Sequence, residues 1–385
     1  MSEPNETALL PEGLRDSLVG EAHKETKAVE KLLKAFSLHG YDLILPPLVE
    51  FEESLLLGPG KAHSRNMFRL LDPVSQRMMG VRTDMTGQVA RISHSRLKNE
   101  PRPLRLGYAG DVLRIKGTQL RPERQFKQAG VELIGSNTTE AYVEIILLAY
   151  EALSDVGTKN LSVDLALPQL VPTITDGLKI NKELSVQVRN ALDAKDIGAL
   201  ANIEGEIGEI SRSILNAAGP ADKSLEILSK LALPKEAQEL CNELQKLVSR
   251  LVKIAPDLRI TIDPGEYTGF EYQTGISFSI FAGSVRGELG RGGRYTVNAE
   301  RGEGEPATGF SLYLDSLMRA VAVEDCEKKI FVPNGTKREV LNDLQEEGYR
   351  TILGLEAVEN EVSEAKRMNC GFIWQNNQIN EFSKG

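Results

Sequence analysis

The sequence predicts an α+β fold: an antiparallel sheet flanked by helices, interrupted by a helical insertion and followed by a small α/β appendage. Three observations carry that reading. Residues 1–155 set several short strands, including an antiparallel hairpin, between helical stretches. Residues 168–258 hold few aromatics and much Leu, Ile, Ala, Lys and Glu at helical spacing. From about 327 to 385 the chain reads strand–helix–strand–helix–strand. A core over 1–322, with its insertion at about 168–258, and a second domain over 327–385 are therefore expected.

Taken in order, Leu18, Ala22, Val29, Leu32, Leu33 and Phe36 recur at helical spacing over about 14–39, and His39-Gly40 stops the helix. Tyr41–Glu50 reads as a strand cut short by Pro46 and Pro47, which cannot donate to a ladder. Phe68–Leu71 and Met78–Arg82 pair around Asp72-Pro73, and a helix follows from Thr86 to Lys98. Strands are expected at Leu104–Tyr108, Val112–Ile115 and Gln125–Ile134. The helix at about 139–154 is apolar on more than one face, as a core or interface helix is. After the insertion come strands at Leu258–Ile262, Phe270–Phe281 and Gly287–Tyr295, then a closing helix over about 309–322. The appendage runs Lys329–Pro333, Lys337–Glu347, Arg350–Leu353, Glu359–Met368 and Gly371–Gln375.

At 385 residues the chain can bury a large core. A net charge of −9 and a pI near 5.3 argue against a dominant nucleic-acid surface, which needs clustered Lys and Arg. Cys241, Cys326 and Cys370 are odd in number and lack CxxC spacing, so neither a disulfide framework nor a zinc site is expected, and a reducing cytoplasm fits. His23, His39, His63 and His94 form no HxxxH pair and read as surface or capping residues; no metal is expected. No apolar run approaches ~18 residues, and the polar N-terminus does not resemble a signal peptide. The glycines within Gly287–Arg294 match no phosphate loop and read as turn and close-approach positions. Arg65, Arg69, Arg77, Arg82, Arg91, Lys116, Arg121 and Arg124 read mainly as solvated or internally paired charges.

The densest chemistry lies in Gly107–Arg114 and Arg124–Glu132. Arg114 supplies a fixed cation, Gln128 an amide and Glu132 a carboxylate on one hairpin, an array suited to a small zwitterion.

These blocks resemble the core of histidyl-tRNA synthetase, a class II aminoacyl-tRNA synthetase. The strand with Pro47 and Glu50 is similar to the class II dimer-interface motif. Arg82-Thr83-Asp84-Met85-Thr86 is similar to the Arg-Pro-Glu-Gly-Thr loop. Leu113-Arg114 with Arg124–Gln128 resembles the second class II motif. Thr268–Gly275 resembles the histidine-specific Arg-Gly-Leu-Asp-Tyr-Tyr-Thr-Gly block, Gly292–Tyr295 its Gly-Gly-Arg-Tyr, and Pro306–Leu317 the third motif. Carried over position by position, the resemblance implies a histidine pocket of Asp84, Thr86, Arg114, Gln128, Glu132, Tyr272 and Tyr295. Asp84 and Glu132 would face an ammonium, Arg114 a carboxylate and Gln128 a polar group, with the tyrosines as walls. The competing reading makes the same residues a buried network that only braces the sheet.

The departures point away from catalysis. The synthetase's catalytic arginine falls on Thr268, its ATP-gripping arginine on Ser316, and the Glu after the second-motif arginine on Lys116. Charge developing on a phosphate needs fixed guanidiniums, and a hydroxyl carries none; losing one such group costs roughly 10²–10³ in rate. No catalytic residue and no cofactor is expected. A synthetase core without catalysis is similar to the ATP phosphoribosyltransferase regulatory-subunit family (HisZ). That resemblance implies a homodimer through the class II interface, joined to a short-form catalytic subunit in a hetero-octamer of four plus four. It further implies a place in the first step of histidine biosynthesis, with histidine as feedback effector. The alternatives are a divergent histidyl-tRNA synthetase or amino-acid ligase, and a tRNA-sensing module, against which the −9 charge argues.

Overall fold

The computed structural model describes residues 10–270, 272–297, 304–321 and 328–382, without the side chains of 59 and 61–63. Glu271, Cys326 and the His63 side chain lie outside the described residues. The chain divides into two compact units, Met1–Ala322 and Val323–Gly385.

In the first unit, α1 (Glu21–Leu38) starts later than the periodicity suggested, because Gly20 at φ 94° breaks the chain and Leu18 stays exposed. The run around Pro46-Pro47 is two strands in different sheets. β1 (Asp42–Leu43) pairs parallel with β5 (Leu104–Leu113). β2 (Val49–Phe51), which leads into α2 (Glu52–Leu55), joins β3 (Arg69–Leu71) and β4 (Met78–Val81) in the order β2-β4-β3. α3 (Thr86–Ser95) follows. β5 and β6 (Gln125–Ile134) pair without a break from Leu104↔Ile134 to Leu113↔Gln125, so the two strands expected at 104–115 are one. The Thr138 hydroxyl caps α4 (Thr139–Val156) and left-handed Gly157 ends it. β7 (Leu161–Ala166) is a short apolar strand that no periodicity announced.

The insertion folds as α5 (Leu170–Gly177), α6 (Lys182–Asp193), α7 (Ile197–Ala201), α8 (Gly205–Asn216), α9 (Ala221–Ser229) and α10 (Lys235–Ile254), with the bridge β8 (Gly219–Pro220) between α8 and α9. β9 (Arg259–Asp263), β10 (Gln273–Ala282), β11 (Gly290–Val297), β12 (Glu305–Tyr313) and α11 (Leu314–Ala320) complete the unit. The helix expected over 309–322 is thus half strand. Phe310, Leu314 and Leu317 mimic a helical stripe, yet Ala307–Leu312 pairs on both sides, with β11 and with β6. Tertiary pairing overrides the local pattern.

The nine-stranded sheet runs β1-β5-β6-β12-β11-β10-β7-β9-β8. It is mixed rather than purely antiparallel, since β1–β5 and β7–β9 are parallel pairs. Alternation sorts its two faces. Val131, Leu133, Ile276, Phe278, Ile280, Phe310 and Leu312 belong to the large apolar core with α1 and α4. Gln128, Glu132, Gly309, Ser311, Tyr295, Ser277 and Ser279 therefore point the other way, and on them the site is built. Gly309 sits opposite Glu132, and a Cβ there would fall inside contact distance of Glu132 Oε2 and of the Val131 carbonyl. Gly309→Ala is expected to destabilise by about 1–3 kcal/mol as overpacking does; an unchanged urea midpoint would show that the carboxyl simply swings aside.

The second unit orders β13 (Lys329–Val332), β14 (Arg350–Leu353), β15 (Phe372–Gln375) and β16 (Gln378–Glu381) as β14-β13-β15-β16, with α12 (Arg338–Glu346) and α13 (Glu361–Arg367). β16 was not expected. Its two-residue turn, Asn376-Asn377, takes φ 54° and 56°, the primed-turn geometry that Asn-Gly usually signals.

Candidate functional site

The site grows from the loop before α3 and from the even-numbered face of β6. Asp84 Oδ1 accepts the Thr86 N–H (2.8 Å) at the start of α3. From β6, Gln128 Oε1 accepts the Met85 N–H (2.9 Å), while its Nε2 donates to Asp84 Oδ2 (2.7 Å) and to Ser311 Oγ on β12 (2.6 Å). Ser311 Oγ lies 2.9 Å from Tyr108 OH, which reaches Glu132 Oε1 at 3.3 Å. Tyr295 OH, from β11, donates to Glu132 Oε2 (3.0 Å), and Tyr272 meets the Tyr295 ring edge-on, centroids 6.0 Å apart. Six of the seven residues named from the sequence thus form one cluster, buried at Thr86, Gln128, Glu132 and Tyr295 and half-buried at Asp84 and Tyr272, held by four strands and one helix start.

Its electrostatics are unbalanced. Glu132 is buried, and burial pushes its carboxyl up to about 8; the Tyr295 hydroxyl opposes this, while the charge of Asp84 adds to it. Burial first, and then the two carboxylates, push Tyr272 well up. Among the described residues no Lys or Arg hydrogen-bonds Asp84 or Glu132. Among the described residues the carboxylate end of the site offers acceptors, hydroxyls and aromatic edges and no cation bonded to either acid, so it suits a ligand that brings its own ammonium or ring N–H.

Arg114, the seventh residue, departs from the expected arrangement. It sits one residue beyond β5, its N–H donating to the Arg124 carbonyl (2.8 Å), and its guanidinium lies 4.9 Å from the Phe126 ring centroid. It makes no pair with Glu132, because the loop leaving β5 carries it along β6 toward Phe126 instead. Its Nε is buried without a partner. Arg82 and Arg121 take the internal of the two readings, bound within the chain rather than solvated. Arg82 donates to the Pro46 carbonyl (2.8 Å) and the Asp111 carbonyl (2.7 Å), bracing the loop that ends in Asp84. Arg121 forms a bidentate pair with Asp315 (3.0 and 3.1 Å), 4.4 Å from the Phe126 centroid and 3.7 Å from that of Tyr313.

Three residues of this face escaped the sequence reading. Gln273 Oε1, Ser277 Oγ and Ser279 Oγ are buried and have no hydrogen-bond partner. They continue the face of Glu132 and Gly309 across β11 onto β10. Two signals were available: Ser277 and Ser279 alternate with Ile276, Phe278 and Ile280, and Gln273 stands where the resembling block has a second tyrosine. Buried unsatisfied acceptors and hydroxyls are rare in native chains, and here they extend the polar floor of the pocket.

Thr268 and Ser316, onto which the resemblance maps two arginines, are engaged within the chain. Thr268 Oγ1 donates to Asp193 Oδ2 (2.6 Å). Ser316 is buried, and its Oγ accepts from Arg319 Nη2 (3.2 Å), whose guanidinium also approaches Glu123. Neither position offers positive charge to a phosphate.

A family model described as histidyl-tRNA synthetase matches residues 13–317. An ATP phosphoribosyltransferase regulatory subunit of Rhodospirillum centenum is 50% identical over 374 residues, 97% of this chain and 96% of the relative. The crystal structure of an ATP phosphoribosyltransferase regulatory subunit/histidyl-tRNA synthetase from Bacillus halodurans superposes with a TM-score of 0.81 at 25% identity, covering 95% of this chain and 97% of that one. A chain of the Thermotoga maritima ATP phosphoribosyl transferase (HisG:HisZ) complex shares the fold, with a TM-score of 0.58 at 22% identity over 75% of this chain and 97% of that one. With the class II architecture and this pocket in place, the chain belongs to the family of ATP phosphoribosyltransferase regulatory subunits, which shares the fold of histidyl-tRNA synthetase.

Proposed function

We propose that this chain, itself without catalytic activity, binds and activates a short-form ATP phosphoribosyltransferase catalytic subunit in the first step of histidine biosynthesis, and that histidine acts on the assembly as feedback inhibitor. One observation carries the reading: the polar cluster of Asp84, Thr86, Gln128 and Glu132 is kept while the positions of two guanidiniums hold hydroxyls that the chain itself engages. In this reading Asp84, Thr86, Gln128 and Glu132 receive the ligand's nitrogens and Tyr272 and Tyr295 wall it. The unpartnered Nε of Arg114 is free for a carboxylate.

Leu43, Leu45 and Leu48, with Leu71 and Val74, are exposed around the segment that resembles the dimer motif, which supports a homodimer there. Four such chains and four catalytic subunits would make the hetero-octamer. No described helix is long and apolar enough to cross a membrane, and the cytoplasm is the proposed setting. Association would bias the catalytic subunit toward an active arrangement. Histidine reverses the bias only by its differential affinity for the two states.

Mixing the chain with the short-form catalytic subunit is expected to give co-elution and a raised turnover that histidine lowers. The chain alone is expected to show no histidine-dependent pyrophosphate exchange. No co-elution and unchanged turnover would remove the reading.

A further inference from the structure

The residue that displaced the catalytic arginine is tied to the helical insertion. Asp193, the last residue of α6, accepts three hydrogen bonds from one loop: Tyr267 N–H (2.8 Å), Thr268 N–H (2.9 Å) and the Thr268 hydroxyl (2.6 Å). A carboxylate at a helix C-terminus opposes the helix dipole, so local propensity argues against an acid here. Burial also pushes its carboxyl up, yet the Thr268 hydroxyl and the two N–H groups outweigh that and hold it below the usual range. One turn earlier on the same face, the Arg189 guanidinium lies 4.4 Å from the Tyr267 ring centroid. Lys195, at φ 55° in a conformation L side chains disfavour, pairs with Asp263 at the other end of the loop. A Cβ on Gly265 would lie 3.3 Å from Leu192 Cβ, so the loop backbone rests on α6.

The far end of this loop is the pocket wall. Phe270 N–H donates to the Tyr267 carbonyl (3.0 Å) and Gln273 N–H to the Phe270 carbonyl (2.9 Å), which fixes the turn carrying Tyr272. The Gln273 carbonyl accepts from Gln169 at the start of α5 (2.7 Å). The insertion therefore grips the wall at two points, α5 and α6, while Tyr272 and Tyr295 connect the wall to Glu132.

We propose that Asp193 is a positioning residue for the amino-acid pocket, through which the helical insertion both holds the Tyr272–Gln273 wall and registers its occupancy. The proposal rests on the reading of the pocket as a histidine site. A small side chain at 268 is part of the device, because its hydroxyl is the third bond to Asp193.

The test uses the full chain with histidine as the probe, combining calorimetric titration with hydrogen exchange over residues 182–201. In the unaltered chain histidine is expected to slow exchange in that segment as well as in β6 and β11. Asp193→Ala should weaken histidine at least tenfold and erase the slowing over 182–201. Asp193→Asn, whose amide oxygen still accepts from the two N–H groups, should restore affinity to within about threefold. Thr268→Val removes only the hydroxyl bond and should give an intermediate loss; it decides the matter if Asp193→Ala does not fold. Histidine heat with protection confined to the pocket strands overturns the coupling but not the pocket, as does unaltered affinity in Asp193→Ala and Thr268→Val. No heat with the unaltered chain removes the pocket reading and the coupling with it.

Discussion

Glu132→Gln is expected to stabilise the chain at alkaline pH and to leave it nearly unchanged near pH 5. The sign follows from the raised carboxyl: the folded chain holds a proton there up to about pH 8, whereas an unfolded glutamate releases it near 4.5. The folded state thus binds the extra proton between those values, so stability falls as pH rises through that window. Glutamine has the shape of the protonated acid and no charge to lose. At pH 8.5 the variant should exceed the parent by about 2–4 kcal/mol, taking 1.36 kcal/mol per pKa unit and discounting for relaxation of the site. Urea unfolding between pH 5 and 9 measures this, and parallel curves for the two proteins would refute it. A saturating cationic ligand should flatten the parent's dependence, because it supplies the positive charge the pocket lacks.

Arg121→Met is the second large effect. The Asp315 side chain is 2% exposed and its two oxygens take both arms of the Arg121 guanidinium. Removing the cation strands a buried carboxylate, which costs about 3–5 kcal/mol. The stacked position over Tyr313 adds a cation–π contribution of about 1 kcal/mol. Replacing both partners, Arg121→Met with Asp315→Leu, should recover most of the loss, since an apolar pair of similar volume is often neutral. A single variant within about 1 kcal/mol of the parent would show that Asp315 finds another donor or takes up a proton.

Much of the site was legible because it rests on alternation. Gln128 and Glu132 sit two residues either side of Gly130, so a strand at 125–134 places them on one face whatever follows. Arg114 and Arg121 were not separable. Both precede the same strand in basic surroundings, and only the path of the 115–123 loop sends Arg121 onto Asp315 and turns Arg114 away from Glu132. β12 was misread because Phe310, Leu314 and Leu317 satisfy a helical stripe, while the pairing that makes Glu305–Tyr313 a strand comes from β11 on one side and, on the other, from β6, roughly 180 positions earlier. Gln273, Ser277 and Ser279 were passed over because a polar side chain within an apolar strand reads as tolerated unless its partners can be counted. That count exists only in the folded chain.

By itself the sequence determined the residue chemistry of the pocket, its mounting on the β5–β6 hairpin, and the hydroxyls at 268 and 316. Those are properties of side-chain type and of a two-residue repeat, both local. The tertiary structure alone decided the charge balance of the pocket, the burial of Arg121 and the grip of Asp193 on Thr268. Each depends on which distant segments exclude water from which groups, and desolvation is a property of the whole packed assembly rather than of any stretch of chain.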